Sequence, residues 1–308
     1  MFRFENYNPI RRADIDCIAA LCHYSEGPGI PWAVFSGELI RLRVTVLGSG
    51  SSGNCTLVET EQTRLLVDAG LGKKETLRRL AAVGREVDRL DGIVISHEHS
   101  DHIGPLAQVL GQWRTTVYLT EATHTEVLRI IPETAHKRLD RVEHIRAGQR
   151  FIVGDIEVSP ISIPHDAVDP LGFTFRANGS KVAIVTDLGY LPELVKVHLR
   201  DSDCLMLESN HDLDMLKVGP YPWHIKQRVM SRTGHLSNHT VSEFFADLEA
   251  FDGRARYVVL AHLSENNNNP DVARISASEA LARREGPGAF SGELIVAQQQ
   301  SPLPTLDL

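Results

Sequence analysis

Cysteine is scarce in this chain. The four present among 308 residues (Cys17, Cys22, Cys55 and Cys204) make no Cys-x-x-Cys pair and no regular spacing. That excludes a disulfide-stapled module and points to a reducing, cytoplasmic compartment. Long apolar runs are missing too: nothing approaches the ~18–20 residues that cross a bilayer, so no membrane partner is expected. The start carries Asp14 and Asp16 in place of a continuous apolar core and does not read as a secretory leader. Basic residues are outnumbered, 32 Lys and Arg against 40 Asp and Glu, for a net charge of −8. A surface coated with positive charge for nucleic acid is thereby excluded. A nucleic-acid substrate is not, because carboxylates that bind metal count as negative until the ions are in place. Hydrophobic content of 42% and charged content of 23% are ordinary for a globular protein, and the length suits one large domain or two modest ones.

No low-complexity linker divides the body. Residues 1–40 differ from the rest in mixing polar and aromatic residues, with a Gly-Pro-Gly turn at 27–29 and no strand alternation. We expect the native protein to begin near Leu42, with 1–41 an extension and 42–308 the folded domain. A short repeat also stands out. Glu26 to Gly29 and Phe35 to Ile40 recur as Glu285 to Gly288 and Phe290 to Ile295, with different spacing. The second copy leads into an expected strand at 293–298. From Leu42 onward, strands are expected at 42–47, 55–59, 64–68, 92–96, 117–120, 142–145, 150–153, 155–163, 172–176, 181–186, 203–208 and 256–261. Helices are expected at 73–83, 101–110, 122–131, 192–199, 224–231 and 239–249, and a polar loop at 266–269. Two β-rich runs predict two sheets covered by helices, not one doubly wound sheet.

The chemistry is concentrated in His97-Glu98-His99-Ser100-Asp101-His102. Three imidazoles and the Asp101 carboxylate within six positions follow the apolar strand Gly92 to Ser96, at the strand end where α/β proteins keep reactive groups. Neutral imidazole and carboxylate suit divalent first-row metals, and this many donors exceed one tetrahedral ion. Half of a two-metal hydrolytic site is the expectation. Four further strands end in an acid or a histidine: Asp68, His165, Asp187 and His262. An aspartate before glycine is often turn chemistry alone, but the repeated placement makes these four the remaining candidates.

This set resembles the metallo-β-lactamase-fold hydrolases, whose defining motif reads His-x-His-x-Asp-His. The resemblance spans about Leu42 to Leu308 and implies an α/β (α+β) fold, a four-layer αββα sandwich with metals at one edge. It implies that His97, His99 and His165 bind one divalent ion (Zn²⁺ or Mn²⁺), that Asp101, His102 and His262 bind a second, and that Asp187 bridges them. Asp68 would support the ligand histidines from behind, fixing tautomer and angle. Two cations about 3.5–4 Å apart can hold a hydroxide and neutralise charge on substrate oxygens, so the remaining need is a proton for the leaving group. His235, in Gly234-His235-Leu236-Ser237-Asn238, is similar to a histidine that assists the leaving group in ribonuclease Z-like members. It joins Asp101 as a catalytic candidate, with a helix-capping role as the alternative.

His165 to Pro170 with Gly172 to Phe175 is similar to the His…Gly-aromatic-x-aromatic segment of the phosphodiesterase branch, and Leu207 to Asp212, Gly219 to Trp223, Gly234 to Asn238 and Ala261 to Ser264 together resemble one bacterial group, YycJ/WalJ. That resemblance implies nuclease action, 5′→3′ exonucleolytic, on DNA or RNA. About 75 positions separate Asp187 from His262, too few for the extra domain of the β-CASP nucleases. Candidate substrate contacts are Asn54, Glu208, Asn210, His211, Tyr221 and Trp223, the last two flanked by Lys217, Lys226, Arg228 and Arg232 in a mixture that could grip and stack a single strand. Each could equally be a capping, core or solvated residue. Gly48 to Asn54 lacks Gly-Lys-Ser/Thr and is no P-loop; it is read as a tight turn, with backbone N–H groups facing a phosphate as the alternative. The rival readings are a small-molecule hydrolase of thioesterase or lactonase type and a non-catalytic protein that kept the fold. Assembly as a homodimer is left open.

Overall fold

The computed structural model describes residues 41–308; the expectations about the N-terminal segment and the first repeat copy lie outside them. In chain order the strands are β1 (Arg43–Gly48), β2 (Cys55–Glu59), β3 (Arg64–Val67), β4 (Gly92–Val94), β5 (Val117–Leu119), β6 (Val142–His144), β7 (Phe151–Val153), β8 (Ile156–Ser162), β9 (Leu171–Ala177), β10 (Ser180–Val185), β11 (Cys204–Glu208), β12 (Tyr257–Ala261), β13 (Glu293–Val296) and β14 (Leu306–Asp307). The helices are α1 (Lys73–Ala82), α2 (Ser100–Ile103), α3 (Leu106–Gln112), α4 (Glu121–Ile130), α5 (Glu133–His136), α6 (Glu193–Leu199), α7 (Leu213–Val218), α8 (Trp223–Val229), α9 (Asn238–Ala246) and α10 (Pro270–Ala282). They build two seven-stranded sheets, ordered β14-β1-β2-β3-β4-β5-β6 and β13-β12-β11-β10-β9-β8-β7. In each sheet one half is antiparallel and the other parallel: β3 to β6 run parallel in the first, β10 to β13 in the second.

The apolar periodicity explains the layering. On β9, Leu171, Phe173, Phe175 and Ala177 alternate onto the inter-sheet core, and burying each phenylalanine stabilises by roughly 1.5–3 kcal/mol. Strand β10 sends Val182 and Ile184 into that core, and Ala183 and Val185 against a helical layer. Burial on both faces is why such strands read as unbroken apolar runs. The outer face of the first sheet packs Leu66, Ile93 and Val117 under Leu80, Val109 and Val127 of α1, α3 and α4. The outer face of the second is covered by Val195 of α6, Val241, Phe244 and Phe245 of α9, and Ala273 and Ala277 of α10. Helix on sheet on sheet on helix is the four-layer αββα sandwich. Cys55 and Cys204 are buried free thiols, and burial pushes the Cys204 thiol up to about 12.

One expectation needs correction, and several elements were not anticipated. The helix expected from Asp101 to Leu110 is two short ones, α2 and α3, broken at Gly104-Pro105. Pro105 has no N–H to give the carbonyl four residues back, and that carbonyl, Asp101 O, accepts instead from Asn54 N at 2.7 Å. The longest described helix, α10, was not anticipated. Asn269 caps it, its Oδ1 accepting from Asp271 N at 2.8 Å, with Pro270 in the first turn. The short helices α5 and α7 and the two-residue strand β14 also went unforeseen. The Gly48–Asn54 turn keeps its amides inside the protein. Ser49 N donates to Gln298 O, Gly50 N to Asn54 Oδ1 and Ser52 N to Gln299 Oε1, so the tight-turn reading holds.

Candidate metal centre

Loops from both sheets meet at one edge of the sandwich. From the first sheet come Asp68 after β3 and His97, His99, Asp101 and His102 after β4. From the second come His165 after β8, Asp187 after β10, Glu208 at the end of β11 and His262 after β12, while His235 enters from the turn between α8 and α9. The rings of His97, His99 and His165 surround one point, with centroids 4.6, 4.9 and 5.0 Å apart, and His165 Nε2 lies 3.3 Å from His99 Nδ1. Beside them, Asp101 Oδ2 lies 3.5 Å from His102 Nε2 and 3.4 Å from His262 Nε2. Asp187 stands between the two groups, with Oδ2 3.3 Å from His102 Nε2 and Oδ1 3.3 Å from His262 Nδ1. Donor atoms of His97, His99 and His165, of Asp101, His102 and His262, and of His97, His102 and Asp187 lie within 4.8 Å of one another in each set.

The far side of most rings is fixed by a protein acceptor. His102 Nδ1 donates to Asp68 Oδ2 at 2.8 Å, which leaves Nε2 facing the cluster. Ser96 Oγ lies 2.9 Å from both Asp68 Oδ2 and His97 Nδ1, so Asp68 governs two histidines through one hydroxyl. His165 Nδ1 lies 3.3 Å from Gly234 O. Glu208 is fully buried, and its Oε1 takes His235 Nδ1 at 2.8 Å and His262 Nδ1 at 2.9 Å. Its Oε2 accepts the backbone N–H of Leu236 at 2.8 Å and of Leu188 at 3.2 Å. Acceptors behind ligand imidazoles set the tautomer and raise basicity.

The donor set fits divalent cations. His97 Nε2 and Asp187 Oδ2 are buried without a hydrogen-bond partner, a state that costs about 1–3 kcal/mol per group unless something positive or polar meets them. The field of the cluster also favours cations. Burial opposes a charge on His262, yet Asp187, Asp101 and Glu208 push it up to about 10. Burial likewise opposes ionisation of Asp187, yet His262 and His102 hold it well below the usual carboxylate range. His97 is pushed down by burial and by His102, so it stays a neutral donor.

The backbone is shaped to suit. Asp68, Asp187 and His262 have φ of 59°, 62° and 53°, the left-handed region that side chains other than Gly, Asn, Asp and His avoid. Such conformations cluster where function holds them in place. Gly70 completes the packing, since a Cβ there would come within 1.8 Å of Asp101 O.

Of the residues considered for substrate contact, Asn54, Glu208, Asn210 and His211 are buried. Asn54 Nδ2 donates to Asp101 Oδ2 at 3.1 Å, and Asn210 Nδ2 to His262 O at 2.9 Å. Asn54 and Asn210 thus serve the cluster or its backbone, as Glu208 does from the end of β11. Tyr221 is half-buried with its hydroxyl accepting from Asn266, and Trp223 is exposed. Ser96, Ser49 and Asp166 escaped sequence reasoning. Ser49 Oγ accepts His262 N at 2.8 Å, and Asp166 Oδ1 lies 3.4 Å from His165 Nε2. A polar residue adjoining a candidate histidine was the available signal for Ser96 and Asp166; Ser49 had none.

Comparison with known proteins agrees with this geometry. Residues 63–263 match the family described as a beta-lactamase superfamily domain. The chain is 35% identical over 243 residues to the exodeoxyribonuclease YycJ of Bacillus anthracis, covering 79% of this chain and 90% of that protein. It is 34% identical over 251 residues to the exodeoxyribonuclease WalJ of Streptococcus pneumoniae, covering 80% and 90%. The metallo-β-lactamase fold protein YhfI from Bacillus subtilis superposes with a TM-score of 0.64 at 20% identity, over 87% of this chain and all of that one. With its two sheets, its histidine-rich edge and these relatives, the chain belongs to the metallo-β-lactamase superfamily and is a metal-dependent hydrolase of that fold.

Proposed function

We propose that the protein is a two-metal phosphodiesterase that removes nucleotides from DNA. His97, His99 and His165 would hold one ion, Asp101, His102 and His262 a second, and Asp187 would face both. Two divalent ions in such a site supply Lewis-acid activation of water near neutral pH and neutralise charge on phosphoryl oxygens. The remaining work falls to the chain's own side chains. Asp68, Ser96, Glu208 and the Gly234 carbonyl keep the ligand rings aimed. His235 suits the role of proton donor to the departing sugar oxygen. It is 22% exposed where His102 and His262 are 0% and 4%, and with Nδ1 on Glu208 its Nε2 is the free nitrogen. Burial opposes its charge, but Glu208 raises its pKa, keeping a proton available near neutrality.

The observation that carries the reading is the pair of unpartnered buried atoms, His97 Nε2 and Asp187 Oδ2, inside donor groups that share residues. The two exodeoxyribonuclease relatives support DNA as the substrate. The unpaired Cys55 and Cys204 fit a reducing, cytoplasmic setting, and no helix among the described residues is long and apolar enough to cross a membrane. The test is hydrolysis of end-labelled single- and double-stranded DNA, with RNA alongside, in Mn²⁺ or Zn²⁺. Release of mononucleotides by the wild type and not by His99→Ala is expected; equal cleavage by both would overturn the assignment.

A further inference from the structure

The segment that ends in His235 carries two arginines, each anchored by a different loop of the metal edge. Arg228, on α8, donates through Nε to Asp166 Oδ2. Asp166 follows His165, and its other oxygen is buried without a hydrogen-bond partner, 3.4 Å from His165 Nε2. The carboxylate therefore spans from the ligand cluster to the guanidinium. No other described side chain or carbonyl takes up Arg228, whose side chain is 60% exposed. Arg232 lies four residues on, its guanidinium carbon 4.1 Å above the ring of Tyr190, three residues after Asp187. Stacking of this kind holds the cation while leaving its edge N–H groups outward.

The segment joining them is tied down by backbone hydrogen bonds and close packing. His235 N donates to Val229 O at 2.9 Å and Gly234 N to Ser231 O at 3.0 Å. A Cβ on Gly189 would come within 2.4 Å of Arg232 O, and Gly189 N donates to Pro164 O at 3.0 Å. The loops after β8 and β10 and the turn bearing His235 are thus packed as one unit. Two anchored guanidinium groups lie on the segment that leads into the proposed proton donor, on a chain whose net charge is −8.

We infer that Arg228 and Arg232 form a phosphate clamp that binds the backbone of a polynucleotide next to the phosphodiester to be cut, with Asp166 and Tyr190 as their positioning residues. The inference rests on the DNA-hydrolase reading above and deepens it. Two separated cations select a chain of phosphates over a small ester with one charge, and guanidinium is the group matched to phosphate oxygens. A clamp of this kind also explains how an acidic protein can hold a polyanion, since attraction is supplied locally at the site.

The test is binding, read apart from turnover. Chelator-treated protein is titrated into fluorescein-labelled single-stranded DNA of about 20 nucleotides, and RNA of the same length, over about 50–300 mM salt. Arg228→Ala and Arg232→Ala are each expected to lower the slope of log K against log salt by about one and to weaken DNA and RNA alike. Arg254→Ala, whose partner is Asp201 at the opposite end of the sandwich, should match the wild type. Metal content, Tm and DNA cleavage are measured alongside on the untreated, metal-loaded proteins; a variant that loses metal acts through the ligand cluster and overturns the clamp at that position. If the wild type neither binds nor cleaves DNA, the nuclease reading falls. If it does both and the two variants keep the wild-type slope, the clamp falls and the nuclease reading stands.

Discussion

Glu208 and His235 are joined by a 2.8 Å contact from Oε1 to Nδ1, and the same oxygen takes His262 Nδ1 at 2.9 Å. One buried carboxylate thus orients both a proposed metal ligand and the proposed proton donor. Glu208→Gln keeps the volume and removes the charge, so turnover should fall about 10- to 100-fold with the circular dichroism spectrum intact. His235→Ala should lower kcat by about 10²- to 10⁴-fold while metal content by mass spectrometry stays at the wild-type value. Loss of metal would instead make His235 a ligand.

Metal removal should be visible as lost stability. Ligands that bind only the folded state stabilise it by about 2.7 kcal/mol at a hundredfold excess over Kd. The chelated protein should therefore melt several degrees below the loaded one. His97→Ala, which deletes the unpartnered Nε2, should abolish most of that difference; an unchanged difference would place the ions elsewhere.

Gly70→Ala tests the seam between the first-sheet loops. The added methyl group would meet Asp101 O at 1.8 Å and Asn54 N at 2.5 Å, both backbone atoms that cannot swing aside. Overpacking of this kind costs typically about 1–3 kcal/mol, and here it displaces the turn that carries Asp101 and His102. The expected result is a lower Tm together with weaker metal binding; a variant with wild-type values for both would show that the seam yields.

Arg79 is a buried cation that ties two distant segments. It is 4% exposed, and its Nη1 donates to Leu47 O and to Gln299 O, both at 2.8 Å. Arg79→Ala strands two carbonyls, so unfolding free energy should drop by roughly 2–4 kcal/mol, read as a lower urea midpoint with unchanged m. Hydrogen bonds from Arg78 and then Arg79 lower the Glu75 pKa to about 2. Because the folded value is depressed, its contribution is present above the unfolded pKa of 4.5 and disappears as pH falls toward about 2. Glu75→Gln should flatten that acid limb of the stability curve, and an unchanged limb would exclude the contribution.

The sandwich was legible because its strands are short, β-branched and buried on both faces, and because polar ligands interrupt each apolar run at the same end. Alternation cannot show which carbonyl a proline releases, so the break at Pro105 was read through as one helix. Helix α10 hid behind Asn266 to Asn269. Its apolar face is mostly alanine at 273, 277 and 280, a weak signal, although Asn269-Pro270 marked its start. Glu208 was legible as a candidate but its role was not, and Ser96 was not legible at all, because residues that act through a histidine meet partners from other strands or at a ring's far side.

The left-handed backbone at Asp68, Asp187 and His262 limits how this centre can change its ligands. Glutamate or cysteine offers chemically competent donors, but neither shares the tolerance of Asp, Asn and His for that conformation. Asparagine is the substitution that leaves the chain path undisturbed while deleting charge. Drift at these three strand ends is therefore confined to Asp, His and Asn, of which only Asn deletes the function, and exchange for a thiolate or a glutamate would first require rebuilding the turn.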